Sequence, residues 1–229
     1  MMNQLIRYIP LIRFIERYHP ISICETGSGS YGIGKFLDIE FTGVDSTFDD
    51  YSASVVQNTN KKMKQVVTSA ARIPLQDKSF DLVFTLDMFE HLHPQEREQA
   101  LDEMVRLARK WVIVGFPCGE FAKKADKRLQ KYYQCTRRKI PGWLSEHMQG
   151  EFPSDDFLDT LLKRKGYQYS VENNDNIHFH FLLALFESLP FCSTISEWAS
   201  CVRGRFVRSL FGTCSFGTCY RKIYIIELT

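Results

Sequence analysis

The stretch Ile21-Ser-Ile-Cys-Glu25-Thr-Gly27-Ser-Gly29-Ser-Tyr-Gly32-Ile-Gly34 begins as an apolar strand and continues as a glycine-rich run. Glycine lets a chain turn tightly and brings the backbone close to a ligand. The helix expected near residues 33–38 would present free N–H groups and the positive end of its dipole to that turn. This arrangement suits a nucleotide-like ligand, with a plain tight turn as the alternative. No Gly-Lys-Ser/Thr follows, which argues against a phosphate loop.

Strand and helix signals alternate on both sides of this turn. Helices are expected at residues 1–19, 94–109 and 155–165. Strands are expected at residues 21–26, 41–45, 65–69, 80–87, 111–116, 167–172 and 221–228. Residues 118–150 are basic and read as a loop. Such alternation favours a parallel sheet covered by helices, and therefore an α/β fold.

The composition is that of an ordinary globular protein. Of 229 residues, 44% are hydrophobic and 24% are charged, which argues against a mostly disordered chain, a coiled coil or a small disulfide-stapled protein. The formal net charge is only +2, so the chain as a whole is not built to coat nucleic acid.

The sequence favours a cytoplasmic protein. The first twenty residues are interrupted by charged side chains and contain no small-residue cleavage site, so no signal peptide is expected. No apolar run approaches the roughly 18 residues that a membrane span needs. The cysteines are odd in number and form no Cys-x-x-Cys pair, which indicates reduced thiols. They are Cys24, Cys118, Cys135, Cys192, Cys201, Cys214 and Cys219.

A carboxylate follows the second expected strand, Phe41-Thr-Gly-Val-Asp45. An acid at this place, downstream of a glycine-rich turn, can accept hydrogen bonds from both hydroxyls of a ribose. A dehydrogenase would use the same two features. The alternative is structural, because Asp45-Ser46 also suits the start of a loop.

A third segment is more specific than the first two. Ala70-Ala-Arg-Ile-Pro74-Leu-Gln-Asp77-Lys-Ser-Phe80-Asp81-Leu-Val-Phe is followed closely by Glu90-His91-Leu92. Together with the glycine-rich turn and Asp45, it resembles the class I S-adenosylmethionine-dependent methyltransferases of the type 11-like group. Those combine Glu-x-Gly-x-Gly, a second-strand acid, Leu-Pro-Phe-x-Asp-x-Ser-Phe-Asp and Leu-Glu-His-Leu. The resemblance covers residues 21–117, with the order and spacing of the motifs intact.

The resemblance implies the fold and its organisation. The expected architecture is a Rossmann-like, mainly parallel sheet of seven strands with helices on both faces and a reversed strand hairpin at its end. We expect one domain over residues 1–229, with an N-terminal helix at 1–19. Two inserted segments, 118–153 and 177–219, would form a helical cover over the acceptor.

The resemblance also implies a site for S-adenosylmethionine, with S-adenosylhomocysteine as product. Glu25 would support the site, the Gly27–Gly29 turn would lie against the methionine part, and Asp45 would hold the ribose hydroxyls. The full set of expected cofactor residues is Glu25, Gly27, Ser28, Gly29, Asp45, Ser46, Ser69, Ala70, Leu86 and Asp87. Ser69 is a departure, because the family often has an aspartate there. A hydroxyl can accept from the adenine amino group without a charge, so we expect weaker or different adenine recognition.

The candidate catalytic residues are His147, His91 and Glu146. A hydroxyl acceptor needs a base, and histidine suits that role because its unperturbed pKa lies near 6.5. His91 follows the fourth strand, where the cofactor should lie, although a structural role is favoured for it. Neighbouring Glu146 and His147 could supply a base and its partner, or form an exposed loop pair. Their segment, Trp143-Leu-Ser-Glu-His147, resembles one in methyltransferases of cell-surface glycan pathways.

No metal site is expected. His178 and His180 would share one face of a strand and could bind a metal ion. No cysteine or carboxylate at ligand spacing completes such a site, so packing or substrate lining is favoured for both.

Two further segments bear on partners. The basic stretch 123–139 is compatible with a phosphate-bearing small molecule or glycan, RNA or an anionic membrane, or with a solvated helix face. Residues 177–219 are aromatic and carry few charges, which fits an acceptor lid, a membrane patch, a packed helical subdomain or a dimer interface.

The sequence therefore favours methyl transfer to a small-molecule or glycan-type acceptor, at oxygen rather than nitrogen. N-methylation of a small molecule or RNA is the second enzymatic hypothesis. A non-catalytic binding protein with the methyltransferase fold is the third, and peripheral membrane contact stays open.

Overall fold

A computed structural model of the chain describes residues 2–48, 62–189, 191–192 and 215–228. Within these ranges, the α-helices are α1 (Met2–Tyr18), α2 (Pro94–Leu107), α3 (Gly119–Cys135), α4 (Gly142–Gln149), α5 (Phe157–Lys165) and α6 (Ile177–Glu187). The strands are β1 (Ile23–Thr26), β2 (Phe41–Asp45), β3 (Met63–Val67), β4 (Phe80–Leu86), β5 (Ala108–Pro117), β6 (Gln168–Asn176) and β7 (Cys219–Glu227).

The strands form one seven-stranded sheet in the order β3-β2-β1-β4-β5-β7-β6. The pairs from β3 to β5 are parallel, whereas β7 runs antiparallel to both β5 and β6. The expected mainly parallel sheet with a reversed hairpin at its end is confirmed. The chain progresses in opposite directions along the sheet from β1, so the switch point lies between β1 and β4, where ligands bind in folds of this kind.

Helices bury both faces of the sheet. On one face, Leu101 of α2 and Leu161 of α5 pack in a core with Val83 and Val112. On the other, α1 lays its apolar stripe against Phe84, Ile113 and Ile223. These side chains alternate along their strands, because successive residues of a strand point to opposite faces. The sheet is therefore covered on both faces, as expected.

One expectation about the inserted segments needs correction. Residues 118–150 are not mainly loop, because α3 and α4 occupy most of that range. Their apolar residues pack together with α6, through Leu129, Tyr133, Leu144 and Ala184. The many lysines and arginines of α3 lie on its outer side and obscure this stripe in the sequence.

Other differences are local. The helix expected near 33–38 is a single 3-10 turn, Gly32–Lys35. His178 and His180 lie on α6 rather than on a strand, so two residues of separation turns them to different sides. His180 is buried against Asp175 and His178 is exposed. Asp156 directly precedes α5, and Gly166 ends that helix with φ +76°, a conformation that glycine adopts readily.

Some expectations concern residues outside the described ranges. These include the aromatic and arginine-rich part of 193–214, with Cys201 and Cys214. The cysteines that the structure describes carry free thiols. Among the helices of the described residues, none has both the length and the apolar character that crossing a membrane requires.

Candidate active site

The carboxyl ends of β1, β2, β3 and β4 open into one cavity of about 510 Å³. The glycine-rich turn after β1 forms one wall, and Arg7 and Tyr8 of α1 contribute to another. His91 and Glu146 also line the cavity, from the loop after β4 and from α4. The volume is in the usual range for a small-molecule or cofactor site.

Most residues that the sequence singled out meet in this cavity. Those lining it are Gly27, Ser28, Gly29, Asp45, Ser46, Ser69, Ala70, Leu86, Asp87, His91 and Glu146. Glu25 lies beneath the glycine-rich turn and is fully buried. His147 is also buried and lies outside the cavity lining.

The turn after β1 depends on glycine at its first position. Gly27 has φ +73°, and a Cβ added there would lie 2.8 Å from Cβ of Met88. The Gly27 N–H donates to the carbonyl of Val44 at 2.7 Å, which holds the turn against the end of β2. A side chain at this position would therefore push the turn away from both neighbours.

Asp45 ties the end of β2 to the same turn. Its Oδ2 accepts a hydrogen bond from the backbone N–H of Gly29 at 2.8 Å, and its Oδ1 accepts from Thr47 N–H at 3.2 Å. A carboxylate has about four lone-pair positions, so acceptor capacity remains for hydroxyl donors. Ser69, across the cavity, accepts from Ala71 N–H at 3.2 Å. The Ser69 hydroxyl thus also shapes its own turn.

Glu25 organises the base of the site from below. Tyr8 donates its hydroxyl proton to Oε1 of Glu25 at 2.6 Å, and the N–H of Ile33 donates to Oε2 at 2.7 Å. Burial raises the pKa of Glu25 to about 7, despite these two hydrogen bonds. This side chain therefore joins α1 to the 3-10 turn and stays partly protonated near neutral pH.

Asp87 lies between two arginines at the floor of the cavity. Arg221 of β7 donates through Nε and Nη2 to the two carboxylate oxygens, at 2.6 and 2.7 Å. Arg7 of α1 donates to Oδ2 from Nη1 at 2.9 Å. Burial opposes ionisation of Asp87, but the two guanidinium groups outweigh it and lower its pKa. Asp87 is thus an ionised, rigidly held group.

His147 is held in place by two other buried side chains. Its Nδ1 lies 2.9 Å from Oδ2 of Asp126 on α3, and the Tyr220 hydroxyl donates to both oxygens of Asp126 at 2.9 Å. The rings of Trp143 and Phe152 contact the imidazole edge to face. The expectation of an exposed loop pair is wrong for His147, which lies buried on α4.

Glu90 lies next to both histidine rings. Its Oε1 is 3.8 Å from Nε2 of His91 and 3.8 Å from Nε2 of His147. Neither carboxylate oxygen of Glu90 has a hydrogen-bond partner within the described part of the chain, although the side chain is fully buried. On its other side, His91 presents Nδ1 to Oε2 of Glu146 at 3.4 Å. His91 is 35% exposed and connects this buried group to the cavity.

Arg97 fixes the loop that carries Glu90 and His91. Its Nε donates to the carbonyls of Phe89 and Leu92 at 2.9 and 3.2 Å, and its Nη2 donates to the carbonyl of Glu151. Arg97 therefore ties the loop after β4 to the chain that follows α4. His147 lies on α4.

Five residues of the site were not expected from the sequence: Arg7, Glu90, Asp126, Tyr220 and Arg221. Asp126 left a detectable signal, because it stands in the apolar stripe of α3 between Ala122 and Leu129. An acid on the buried side of an amphipathic helix needs a buried partner. Glu90 stands in the Glu90-His91-Leu92 motif, whereas Arg7, Tyr220 and Arg221 come from distant elements and carry no comparable local signal.

Part of the chain is similar to a known protein family. Residues 24–114 match the family model described as a methyltransferase domain. This range runs from β1 to β5 and includes most of the cavity-lining residues.

Solved structures agree in overall architecture. The magnesium protoporphyrin IX methyltransferase of Synechocystis, crystallised with bound S-adenosylhomocysteine, is 12% identical, with TM-score 0.58 over 99% of this chain and 83% of that one. A possible histamine N-methyltransferase from Thermotoga maritima is 15% identical, with TM-score 0.55 over 99% of both chains. The methyltransferase domain of bacterial CtHen1 is 14% identical, with TM-score 0.54 over both whole chains. At these identities the likeness is one of fold.

Proposed function

Since residues 24–114 form a methyltransferase domain of the class I, S-adenosylmethionine-dependent type, we propose that the chain methylates a hydroxyl oxygen of a small-molecule or glycan-type acceptor. One observation carries this proposal. A single cavity joins the expected cofactor residues to His91, which has Glu146 beside it and contacts the buried ring of His147 from behind. Methyl transfer to a hydroxyl needs a group that deals with the departing proton, and many amines need little such help.

The donor set of the cavity fits S-adenosylmethionine. Asp45 offers free acceptor capacity for the two ribose hydroxyls, and the Gly27–Gly29 turn brings backbone rather than side chains to the wall. Ser69 and Ala70 would border the adenine at the end of β3. Ser69 supplies an uncharged acceptor there. We therefore expect it to bind the adenine amino group less strongly than an aspartate would.

Arg7 adds a group for the amino-acid end of the cofactor. It lines the cavity near the glycine-rich turn, and its Nε is a buried donor without a partner among the described residues. Guanidinium groups bind carboxylates strongly and directionally. Asp87 holds only Nη1 of Arg7, so a carboxylate of the bound cofactor could complete the pairing.

The histidine end of the cavity is the place for the acceptor. When bound, S-adenosylmethionine supplies a methyl carbon that its sulfonium makes electrophilic, so the protein must align the acceptor and handle its proton. The acceptor hydroxyl forms an O–CH3 bond as the S–CH3 bond breaks, and one proton leaves. His91, Glu146 and the His147–Asp126 pair are the groups of this chain that would activate that hydroxyl.

The protonation state of His91 supports this role. Burial, and then the neighbouring His147, lower the pKa of His91. The imidazole is therefore neutral at neutral pH and keeps a lone pair available. The neighbouring Glu146 is 41% exposed and can pass a proton to solvent.

An exposed basic face on α3 supports an anionic acceptor. Lys124, Lys127, Arg128 and Lys131 lie exposed on this helix. The Arg128 guanidinium stacks 4.3 Å from the Phe181 ring, beside a groove of about 260 Å³ between α3 and α6. Cations beside aromatic rings suit a phosphate-bearing sugar conjugate. RNA is a less favoured partner, because the net charge of the chain is only +2.

Calorimetric titration with S-adenosylmethionine and S-adenosylhomocysteine tests the cofactor site. Transfer of an isotope-labelled methyl group to sugars, and to their nucleotide and lipid conjugates, tests the acceptor. We expect micromolar cofactor binding and labelled methyl ethers. Failure of folded, ligand-free protein to bind either compound would overturn the proposal. Labelling of amines alone would overturn the choice of oxygen.

A further inference from the structure

Three side chains from two separate segments, two of them buried, form a cluster beside the cavity. We call Glu90, His91 and His147 the Glu90 cluster. Each contributes a nitrogen or oxygen atom that can bind a metal ion, and these atoms all lie within 4.8 Å of one another. Nε2 of each histidine lies 3.8 Å from Oε1 of Glu90.

The cluster brings atoms with lone pairs from Glu90, His91 and His147 close together. Asp126 accepts hydrogen bonds from Tyr220, so its Oδ2 receives the Nδ1 proton of a neutral His147 at 2.9 Å. Nε2 of His147 then carries a lone pair on the side of Glu90. Glu146 lies 3.4 Å from Nδ1 of His91 and favours the same tautomer there.

The buried carboxylate of Glu90 is a second reason to expect a cation here. Its side chain is fully buried, and both oxygens have no hydrogen-bond partner within the described residues. Leaving a buried polar group unpaired costs roughly 1–3 kcal/mol, and more for a charged one. A bound cation removes that cost, because it gives the carboxylate and both imidazole lone pairs a common partner.

From this geometry we propose that Glu90, His91 and His147 bind a divalent first-row transition metal ion at the acceptor end of the cavity. Two imidazoles and one carboxylate are a common donor set for zinc and for iron(II) sites with open positions. The carboxylates beside each Nδ1 complete the usual pattern, in which a metal-binding histidine donates its other N–H to a carboxylate.

The two histidine–Glu90 distances require only a modest contraction, whereas the separation of the two histidine nitrogens is bounded only at 4.8 Å and could require a larger one. Metal–nitrogen and metal–oxygen bonds of about 2.1 Å place neighbouring ligand atoms roughly 3.0–3.4 Å apart. The two measured separations of 3.8 Å would therefore shorten by about 0.4–0.8 Å on binding. Rotation of the side chain of His91, which is partly exposed, can provide this movement.

The ion would serve the proposed reaction at its oxygen acceptor. His91 lines the cavity, so an open coordination position on that side can receive the acceptor hydroxyl. A bound cation lowers the pKa of a coordinated hydroxyl, which then loses its proton to solvent more readily. This catalytic part of the inference rests on the proposed function, whereas ion binding by the Glu90 cluster does not.

Direct binding measurements on the full chain test the proposal. The purified protein is stripped with EDTA, dialysed and titrated with Zn²⁺, Mn²⁺ and Co²⁺ in a calorimeter, with Co²⁺ absorption as a second readout. We expect one ion per chain and ligand-field bands for Co²⁺. Glu90→Gln and His91→Gln should weaken binding by more than about 100-fold, since outer partners alone change affinity about 10- to 100-fold.

The exposed His178 provides the matched control, because His178→Gln removes an imidazole elsewhere and should leave binding unchanged. Retained S-adenosylmethionine binding shows that each variant is folded, and His91→Gln remains informative if the buried Glu90→Gln fails to fold. The inference is overturned if wild type binds none of the ions at millimolar concentration, or if His91→Gln binds as wild type does.

Methyl-transfer assays run alongside keep the two proposals apart. Transfer to a hydroxyl that is unaffected by EDTA, in protein shown to be metal-free, would remove the catalytic role of the ion and leave the proposed function intact. Ion binding at the Glu90 cluster without transfer to any hydroxyl acceptor would preserve the site and count against the proposed function.

Discussion

Nδ1 of His147 lies 2.9 Å from Oδ2 of Asp126, although α4 carries the histidine and α3 carries the aspartate. Tyr220, from the last strand, donates to the same carboxylate. Three elements thus fix one tautomer of His147 and direct its second nitrogen towards Glu90. The helical insertion after β5 therefore supplies an oriented imidazole beside the loop after β4.

Asp126→Asn should lower methyl transfer about 10- to 100-fold while leaving cofactor affinity nearly unchanged. The amide can donate where the carboxylate accepts, so His147 loses the interaction that fixes its tautomer. Steady-state kinetics and cofactor titration measure the two effects. Asp102→Asn, at an exposed pair with Lys165, is the control and should keep wild-type rates. An unchanged rate in Asp126→Asn would contradict the positioning role.

Asp45→Ala should weaken S-adenosylmethionine binding about 10- to 100-fold, because charge-assisted hydrogen bonds contribute roughly 1.5–3 kcal/mol each. The variant also loses the acceptor that holds Gly29 N–H. Calorimetry measures the affinity, with Asp38→Ala as the control because that carboxylate lies exposed beside Lys62. Equal affinity in Asp45→Ala and wild type would show that the ribose assignment is wrong.

Arg7→Met should weaken binding of S-adenosylmethionine but not of 5′-methylthioadenosine, which lacks the amino-acid group. Methionine retains the apolar bulk of the side chain on α1 and removes the guanidinium that we pair with the cofactor carboxylate. The ratio of the two dissociation constants, measured by calorimetry, isolates this contact. An equal loss for both ligands would indicate that Arg7 supports the fold through Asp87 instead.

Gly27→Ala should destabilise the protein more than Gly166→Ala and should also abolish tight cofactor binding. Both glycines have left-handed φ values, +73° and +76°, so both variants carry a conformational cost of about 1–2 kcal/mol. An added Cβ meets Met88 at position 27 and nothing within 4 Å at position 166. Urea unfolding should therefore separate the two by roughly 1–3 kcal/mol. Equal losses would mean that the turn relaxes freely.

Glu25→Gln should change how stability depends on pH. Folded Glu25 keeps its proton up to about pH 7, whereas the unfolded chain releases it near 4.5. The folded state therefore binds more protons in this window, and the wild-type free energy of unfolding falls as pH rises through it. Relative to Glu25→Gln, the fall should be about 3 kcal/mol. Urea unfolding from pH 4.5 to 7.5 measures the difference, and parallel curves would contradict the raised pKa.

Most strands of the sheet, and the residues at their ends that line the cavity, could be predicted from the sequence. Two of the parallel strands are short apolar runs with a cavity residue at the carboxyl end: Asp45 is the last residue of β2, and Asp87 directly follows β4. Local pattern is sufficient there, because the carboxyl ends of parallel strands meet at one edge whatever the loops do. The motifs of residues 25–92 then indicate which strand end contributes which residues to the cavity.

The helices of residues 118–150 were not evident from the sequence. The basic residues of α3 dominate its composition, and Asp126 interrupts the apolar stripe that would have revealed the helix. The apolar stripe packs against Leu144 of α4 and Ala184 of α6. Burial of that stripe depends on helix packing, which a local pattern does not record.

Only the tertiary structure brought Glu90, His147, Asp126 and Tyr220 together. They come from the loop after β4, from α4, from α3 and from β7, and no spacing along the chain relates them. These contacts depend on how α3 and α4 pack over the end of the sheet. Arg97 joins the loop after β4 to the chain after α4. Strand-end residues can be located from sequence because sheet geometry is regular, whereas contacts between inserted helices and loops depend on packing throughout the fold.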